Sequence, residues 1–386
     1  MNFLIVHNTY SACGGEETVV AFQKSLLEKH GHKVRLYVRA YSDMDKWLLG
    51  KAGGTFTSIF NYRSVRDLKR LLKKERFDAV LLHNLFPVIS PAIIPFLKRK
   101  GVRVLQVVHN YRLFCPVGTF FTNNSICNDC LKRGREWHCM RKRCTKGVLS
   151  AASFAFKFST IRLLNYYGGI DRFLVLNEVQ ADLISRYMKA GNKVSLLPNC
   201  VEVSADCNSN LPEKKLVSFV GRLTPEKGFF DFLETAAKMP DYEFAVAGEK
   251  DGLPSVYIPS NVKFYGFLRG DALEEFYARS RVVLFLSKWY EGFALVVIEA
   301  MKHSTPVIAY DTLAAKSVVA DGKSGFIVPN GDTDLVASCV RRLFEDSSLF
   351  ETLAKNAQRR VAENYSNDKY YERLIEIVKK VRLTKF

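Results

Sequence analysis

The chain has 386 residues, 48% of them hydrophobic and 25% charged. That composition excludes a disordered or fibrous chain and leaves room for two domains, each able to bury a core. The formal net charge of +18 is one-sided: residues 1–200 carry 32 Lys and Arg against 13 Asp and Glu, residues 201–386 carry 25 against 26.

In chain order, Phe3–Val6 reads as a strand and not as the basic opening of a signal peptide. A turn with Gly14 and Gly15 leads into an amphipathic stretch from about Glu17 to Lys29. Lys33–Val38 is a second strand, Val65–Glu75 a basic helix, Ala79–Leu82 a strand, Pro91–Lys100 a helix and Val102–Val108 a strand. Arg172–Val175 and Val194–Leu197 complete the first set. Residues 110–147 interrupt it with five cysteines and many cations but no period, and read as an insertion on a loop. Around Glu202–Lys215 the chain turns polar and irregular, as a linker does. A second set follows: Leu216–Val220, Glu243–Ala247, Val262–Tyr265, Val282–Leu286, Pro306–Ala309 and Gly325–Val328 as strands with helices between, then an amphipathic helix near Lys369–Arg382. Runs such as Ala79–Leu82 and Val282–Leu286 are too short to cross a bilayer, so the chain is expected in the cytoplasm. Strand and helix in alternation predict an α/β protein with mostly parallel sheets. The predicted domains are 1–198, with the insertion at 110–147; 199–365; and a closing helix over 366–386 that packs back on the first domain.

Two segments of the second half carry chemistry. After the strand ending at Val220 comes Gly221-Arg222-Leu223-Thr224-Pro225-Glu226-Lys227-Gly228. Its glycines let backbone approach a ligand, and Arg222 and Lys227 can grip a pyrophosphate, the first by its fork and the second as a point charge. An ordinary solvated loop is the competing reading. The second segment runs from Ser287 to Met301 and places Glu291 on a loop and Glu299 about a turn into an apolar helix. A Glu in such a run needs a partner if buried, and sugar or ribose hydroxyls are suitable. The helix start, Gly292-Phe293-Ala294-Leu295, offers N–H groups to a phosphate. An amphipathic helix with one exposed Glu is the plain alternative.

Glu291 and Glu299 in the setting E-G-F-x-L-x-x-x-E-A-M resemble the paired glutamates of glycosyltransferase family 4, and Gly221–Gly228 resembles that family's G-R-L-x-x-x-K-G loop. Ala247-Gly248-Glu249, Phe264-Tyr265-Gly266-Phe267, Pro306-Val307-Ile308-Ala309 and Leu197-Pro198-Asn199 match further family positions. The resemblance implies the GT-B fold, two Rossmann-like domains facing across a cleft, and sugar transfer with retained anomeric configuration. By position, it implies that Arg222 and Lys227 bind the donor diphosphate, Glu299 the ribose and Glu291 the sugar hydroxyls, with Phe267–Leu268 against the base. In the first domain Ala12-Cys13-Gly14-Gly15-Glu16 resembles the family's Gly-rich loop, with Gly14 and Gly15 near phosphate or acceptor. His109 matches its active-site histidine, although Asn110 stands where the family usually has Asp. The expected donor is a UDP- or GDP-sugar and the expected acceptor a glycan or polyprenyl-diphosphate-linked glycan, in bacterial surface polysaccharide synthesis. No cofactor is expected for catalysis, because Arg222, Lys227 and the helix near Leu295 supply charge to the leaving group.

Cys127-x2-Cys130-x8-Cys139-x4-Cys144 has the count and a plausible spacing for a structural zinc, with Cys115 and His138 as substitutes; free thiols or disulfides are the rival readings. Lys132, Arg133, Arg135, Arg141, Lys142, Arg143 and Lys146, with Phe114, Phe120, Phe121 and Trp137 among them and Lys69–Arg76 elsewhere, suggest peripheral attachment to anionic lipid on the inner face of the membrane. A basic nucleic-acid binder with a zinc module would use the same features but leaves Glu291 and Glu299 unexplained, so no nucleic acid is expected. A nucleotide-sugar epimerase or a sugar phosphorylase of similar fold is the enzyme alternative.

Overall fold

The computed structural model describes residues 1–9, 15–46, 54–122, 125–131, 136–145, 147–203, 214–250, 253 and 255–381. Gly14, Lys132, Arg133, Arg135, Lys146 and most of the predicted linker lie outside the described residues. The chain divides into two compact units: residues 1–122 with 127–198 and 371–386, and residues 123–126 with 199–370.

The first unit is built on β1 (Asn2–Thr9), α1 (Gly15–Lys29), β2 (Lys33–Ala40), α2 (Gly54–Ile59), α3 (Tyr62–Lys74), β3 (Ala79–Leu82), α4 (Ile93–Arg99), β4 (Arg103–Val108), α5 (Trp137–Arg141), α6 (Val148–Leu163), β5 (Arg172–Val175), α7 (Glu178–Met188) and β6 (Val194–Leu196). Six strands pair in parallel in the order β2-β1-β3-β4-β5-β6. The continuous apolar runs of β1 and β3 are central and fully buried, as strands covered on both faces must be. The alternating β2, with Lys33, Arg35 and Arg39, sits at the edge, where charge blocks further pairing. Asn61 caps α3, its side chain accepting from the Ser64 amide, and Lys73 and Lys74 close the helix at its negative end. Residues 110–147 add no strand to this sheet.

The second unit repeats the plan with β7 (Leu216–Val220), α8 (Phe229–Ala237), β8 (Glu243–Ala247), β9 (Val262–Phe264), α9 (Asp271–Arg279), β10 (Ser280–Phe285), α10 (Leu295–Lys302), β11 (Val307–Tyr310), α11 (Leu313–Val318), β12 (Gly325–Val328), α12 (Thr333–Glu345) and α13 (Ser347–Asn364). Its strands are parallel in the order β9-β8-β7-β10-β11-β12. That is the doubly wound order whose direction reverses between β7 and β10, and ligands of such sheets bind beyond the strand ends at that reversal. Phe219, Phe229, Phe232 and Phe244 pack edge-on and tilted beneath it. The last helix, α14 (Asn367–Lys380), begins in the second unit; from Tyr371 it belongs to the first, where the Tyr371 ring stacks on His30 at 3.6 Å and Arg103 Nε donates to the Val381 carbonyl.

Gly228, between the cation loop and α8, holds φ at +76°, and a Cβ there would lie 2.0 Å from the Leu286 carbonyl oxygen. Only glycine lets this loop close onto the end of β10. Gly331, in the same unit, has φ of +86° but open space around it. Gly228→Ala should therefore destabilise the second unit by about 3 kcal/mol or more, against about 1 kcal/mol for Gly331→Ala, in chemical denaturation. Equal losses would show that the close approach carries no strain.

Candidate functional site

In the second unit, β7 and β10 end side by side, and the loops that follow them bring the predicted residues together. Lys227 Nζ donates to Glu291 Oε1 at 2.5 Å, and Ser287 Oγ donates to the same oxygen at 2.7 Å. Burial alone would push the Glu291 carboxyl up; the Lys227 charge and these hydrogen bonds outweigh it and hold the group below the usual carboxylate range. Glu291 is therefore an anion, and so an acceptor for hydroxyl groups. The Trp289 ring lies under both cations, 5.3 Å from Lys227 Nζ and 5.4 Å from the Arg222 guanidinium. Arg222 keeps most of its side chain exposed and lies 3.5 Å from Glu226. Lys288 extends the network to Asp231 at 2.7 Å, which also accepts from the Tyr310 hydroxyl.

Gly292, Phe293, Ala294 and Leu295 lead into α10, with Phe293 and Ala294 buried. The first turn of α10 turns backbone N–H groups toward this edge of the sheet. Glu299, in the second turn, accepts from the Tyr277 hydroxyl at 2.9 Å, and burial pushes its carboxyl up. The partner demanded by burial is thus a phenol of the same unit. Leu268 packs beside Leu216, Ala245 and Phe276, while Phe267 stays half exposed beneath Arg269.

In the first unit the histidines form a chain, of which the sequence motif shows only His109. His83 follows β3 as His109 follows β4, the same strand-end signal, and β3 and β4 are neighbours. His83 Nε2 lies 2.9 Å from the Gln23 side-chain oxygen and His83 Nδ1 2.7 Å from His109 Nε2. The amide oxygen accepts, so His83 carries its proton on Nε2 and accepts from His109 Nε2–H. His109 is left with Nδ1 as its lone-pair nitrogen. Burial lowers the pKa of His7, His83 and His109, and the neighbouring His109 and His7 add to the shift of His83, so all three stay neutral near pH 7. His109 and His83 line a cavity of about 40 Å³ with Glu16, Asn110 and Arg112. Asn110 Nδ2 donates to Glu16 Oε1 at 2.8 Å, which explains the departure from Asp: a carboxylate there would face another. Gly15 opens α1, but Glu16 and Glu17 fill its first turn, so the positive end of the helix already meets two carboxylates.

Of the expected zinc ligands, Cys139 lies against Cys144 and Cys130 against the substitute Cys115. The Cys130 thiol donates to Cys115, whose pKa falls to about 6 through that bond and the amides of Phe120, Gly118 and Val117. Cys139 lies against Cys144, and its thiol is pushed up to about 12, chiefly by burial. Among the described residues no three His, Cys, Asp or Glu are placed to hold a metal ion. Among the described residues no helix is long and apolar enough to cross a membrane.

Two family models match the chain: Glycosyltransferase Family 4 over residues 13–205 and Glycosyl transferases group 1 over residues 206–360. Alpha-D-kanosaminyltransferase of Streptomyces kanamyceticus is 28% identical over 184 residues, covering 45% of this chain and 47% of that protein. The capsular polysaccharide biosynthesis glycosyltransferase CapM of Staphylococcus aureus is 27% identical over 174 residues, 42% of this chain and 46% of that protein. The chain spans about half the length of the curated relatives it matches first. Among solved structures, Anabaena HepE in complex with UDP-glucose superposes with a TM-score of 0.64 at 16% identity, over 98% of this chain and 99% of that one. The likeness extends to the whole two-unit fold.

The neutral histidines make stability depend on pH. Their folded-state pKa values lie below the ordinary value of about 6.5, so below that pH the unfolded chain takes up protons first. Their contribution is complete above pH 6.5 and is lost as pH falls toward the lowered values, by up to about 1.4 kcal/mol per pH unit for each histidine. Denaturation at pH 7.5, 6.5 and 5.5 should show this fall, with a shallower slope in His83→Gln. An unchanged slope in that variant would remove His83 from the set.

Proposed function

The chain belongs to glycosyltransferase family 4, and from that membership and the site's geometry we propose that it moves a sugar from a UDP- or GDP-sugar to a glycan or lipid-linked glycan with retention of anomeric configuration. The observation that carries the reading is the set at the β7/β10 reversal: two cations over Trp289, one of them locked to an ionised Glu291, beside the start of α10. Arg222 and Lys227 bind the diphosphate, and the α10 N–H groups share its charge. Glu291 positions sugar hydroxyls, and Glu299 takes the ribose while Tyr277 holds it in place. Leu268 and Phe267 lie against the base.

In the proposed step the bond between the anomeric carbon and the diphosphate oxygen breaks as the acceptor hydroxyl approaches from the same face. The new carbon–oxygen bond forms there, and the hydroxyl proton passes to the departing phosphate. Charge grows on the diphosphate, where fixed cations and helix N–H groups lower the barrier most. His109, neutral and with Nδ1 as acceptor, orients the acceptor on the first unit. Transfer needs no metal in this scheme. Asp332 and Asp334 have Asp-x-Asp spacing but are spent on capping α12 and on Lys238. The name of the CapM relative supports surface polysaccharide as the product, and the basic α3 supports work at an anionic membrane.

Thermal stabilisation by UDP-, GDP-, ADP- and CDP-sugars tests the donor site. One nucleotide should raise Tm, and Glu299→Ala should weaken that shift by tenfold or more in midpoint concentration. Transfer should persist in excess chelator. No stabilisation by any nucleotide, or a complete and metal-restorable loss in chelator, would contradict the scheme.

A further inference from the structure

The first unit holds a second cavity, of about 190 Å³, beside the His109 pocket. The two share Arg112, Leu113 and Tyr167 as lining residues. Its remaining walls are largely apolar: Phe114, Pro116, Phe158, Ile161 and Met188. Its other charged groups, Glu136 and Arg162, are paired with each other. Arg112 thus stands where an apolar cavity meets the polar pocket of His83 and His109.

Behind this junction lies Lys157, on α6, only 7% exposed. Its ammonium faces three rings, 4.1 Å from the centroid of Phe154, 4.8 Å from Phe158 and 5.3 Å from Phe86. Phe86 lines the His109 pocket and Phe158 the apolar cavity. No described carboxylate pairs with Lys157, and the other charge acting on it is Arg112, of the same sign. Burial, with Arg112, lowers its pKa to about 7. A lysine this buried, with no described carboxylate beside it, disfavours the folded state unless an anion joins it. α2 and α6 turn large apolar side chains outward, among them Phe56, Leu149 and Leu163, with Phe60 just past the end of α2. Phe56 and Phe156 join the two helices edge to face.

Resting on the proposed transfer, we infer that this cavity seats the lipid end of the acceptor: a phosphate or diphosphate between Arg112 and Lys157, with the first units of an apolar chain against Phe114, Phe158, Ile161 and Met188. A water-soluble phosphorylated acceptor would use the cations and leave the apolar walls empty. A lipid phosphate satisfies both, and its chain continues toward the outward apolar faces of α2 and α6. The sugar beyond the phosphate then lies on the His109 side of Arg112.

The test is calorimetric binding of three probes to the full chain with the Arg222 and Lys227 site saturated by the nucleotide that stabilises it: geranyl diphosphate, inorganic pyrophosphate and geraniol. Geranyl diphosphate should bind at least tenfold more tightly than either part. Lys157→Met should weaken it at least tenfold and yet raise Tm, because it removes a buried unpaired charge; a lysine that only supports packing would not give these opposite signs. Phe158→Ala should weaken geranyl diphosphate and leave pyrophosphate unchanged. Equal binding of pyrophosphate and geranyl diphosphate would overturn the lipid assignment, and unchanged binding in Lys157→Met would overturn the phosphate position. Stabilisation by the nucleotide sugar, followed in the same variants, separates these failures from a failure of the transferase reading.

Discussion

An ionised carboxylate next to a lysine, both largely out of water, is unfavourable unless each completes the other's hydrogen bonding. The pair Lys227–Glu291 meets that condition, and it also fixes two loops that are 64 residues apart in sequence. One follows β7 and carries the cations. The other follows β10 and leads into α10. Because every strand of the sheet is parallel, both loops must emerge at the same edge. Because the strand order reverses between β7 and β10, nothing of the sheet lies between them. The ion pair and Gly228 draw the loops together across that gap, and Trp289, Arg222 and the α10 N–H groups take their positions from it.

The histidine chain of the first unit follows from the same geometry. β3 and β4 are adjacent and parallel, so the residues just past their ends meet, and His83 and His109 do so at hydrogen-bond distance. Burial keeps the chain neutral. Gln23, on α1, then fixes which nitrogen carries each proton. A neutral, oriented imidazole is the form that can accept a hydrogen bond from a sugar hydroxyl near pH 7. Asn110 is part of the design: its amide can donate to Glu16, and an aspartate could not.

Much of the fold is legible in the sequence because central parallel strands are continuous apolar runs. Ala79–Leu82, Leu216–Val220, Glu243–Ala247 and Gly325–Val328 are strands over those very residues. β10 starts two residues earlier than its hydrophobicity shows, because its first residue, Ser280, hides its hydroxyl in a bond to Ser218 inside the sheet. The paired glutamates and the cation loop are legible as motifs. That Lys227 and Glu291 bind each other is not, since spacing says nothing of which side chains meet across a sheet edge. His83 carries the same strand-end signal as His109 but belongs to no motif that would single it out. The cysteine spacing shows that these thiols can gather; it does not show that Cys130 meets Cys115 and Cys139 meets Cys144. Lys157 is invisible to pattern, because one lysine in a helix reads as surface until the rings around it are known.

The most direct measurement is a calorimetric titration of UDP into the wild type, Lys227→Met, Glu291→Gln and the double variant, with folding checked in each. The expected result is at least a tenfold weaker Kd in Lys227→Met, with the double variant folded as stably as the wild type to within about 1 kcal/mol while still failing to bind, because removing both charges relieves burial without restoring the grip. Wild-type UDP affinity in Lys227→Met would contradict the claim that the ion pair, and the two loops it joins, hold the donor diphosphate.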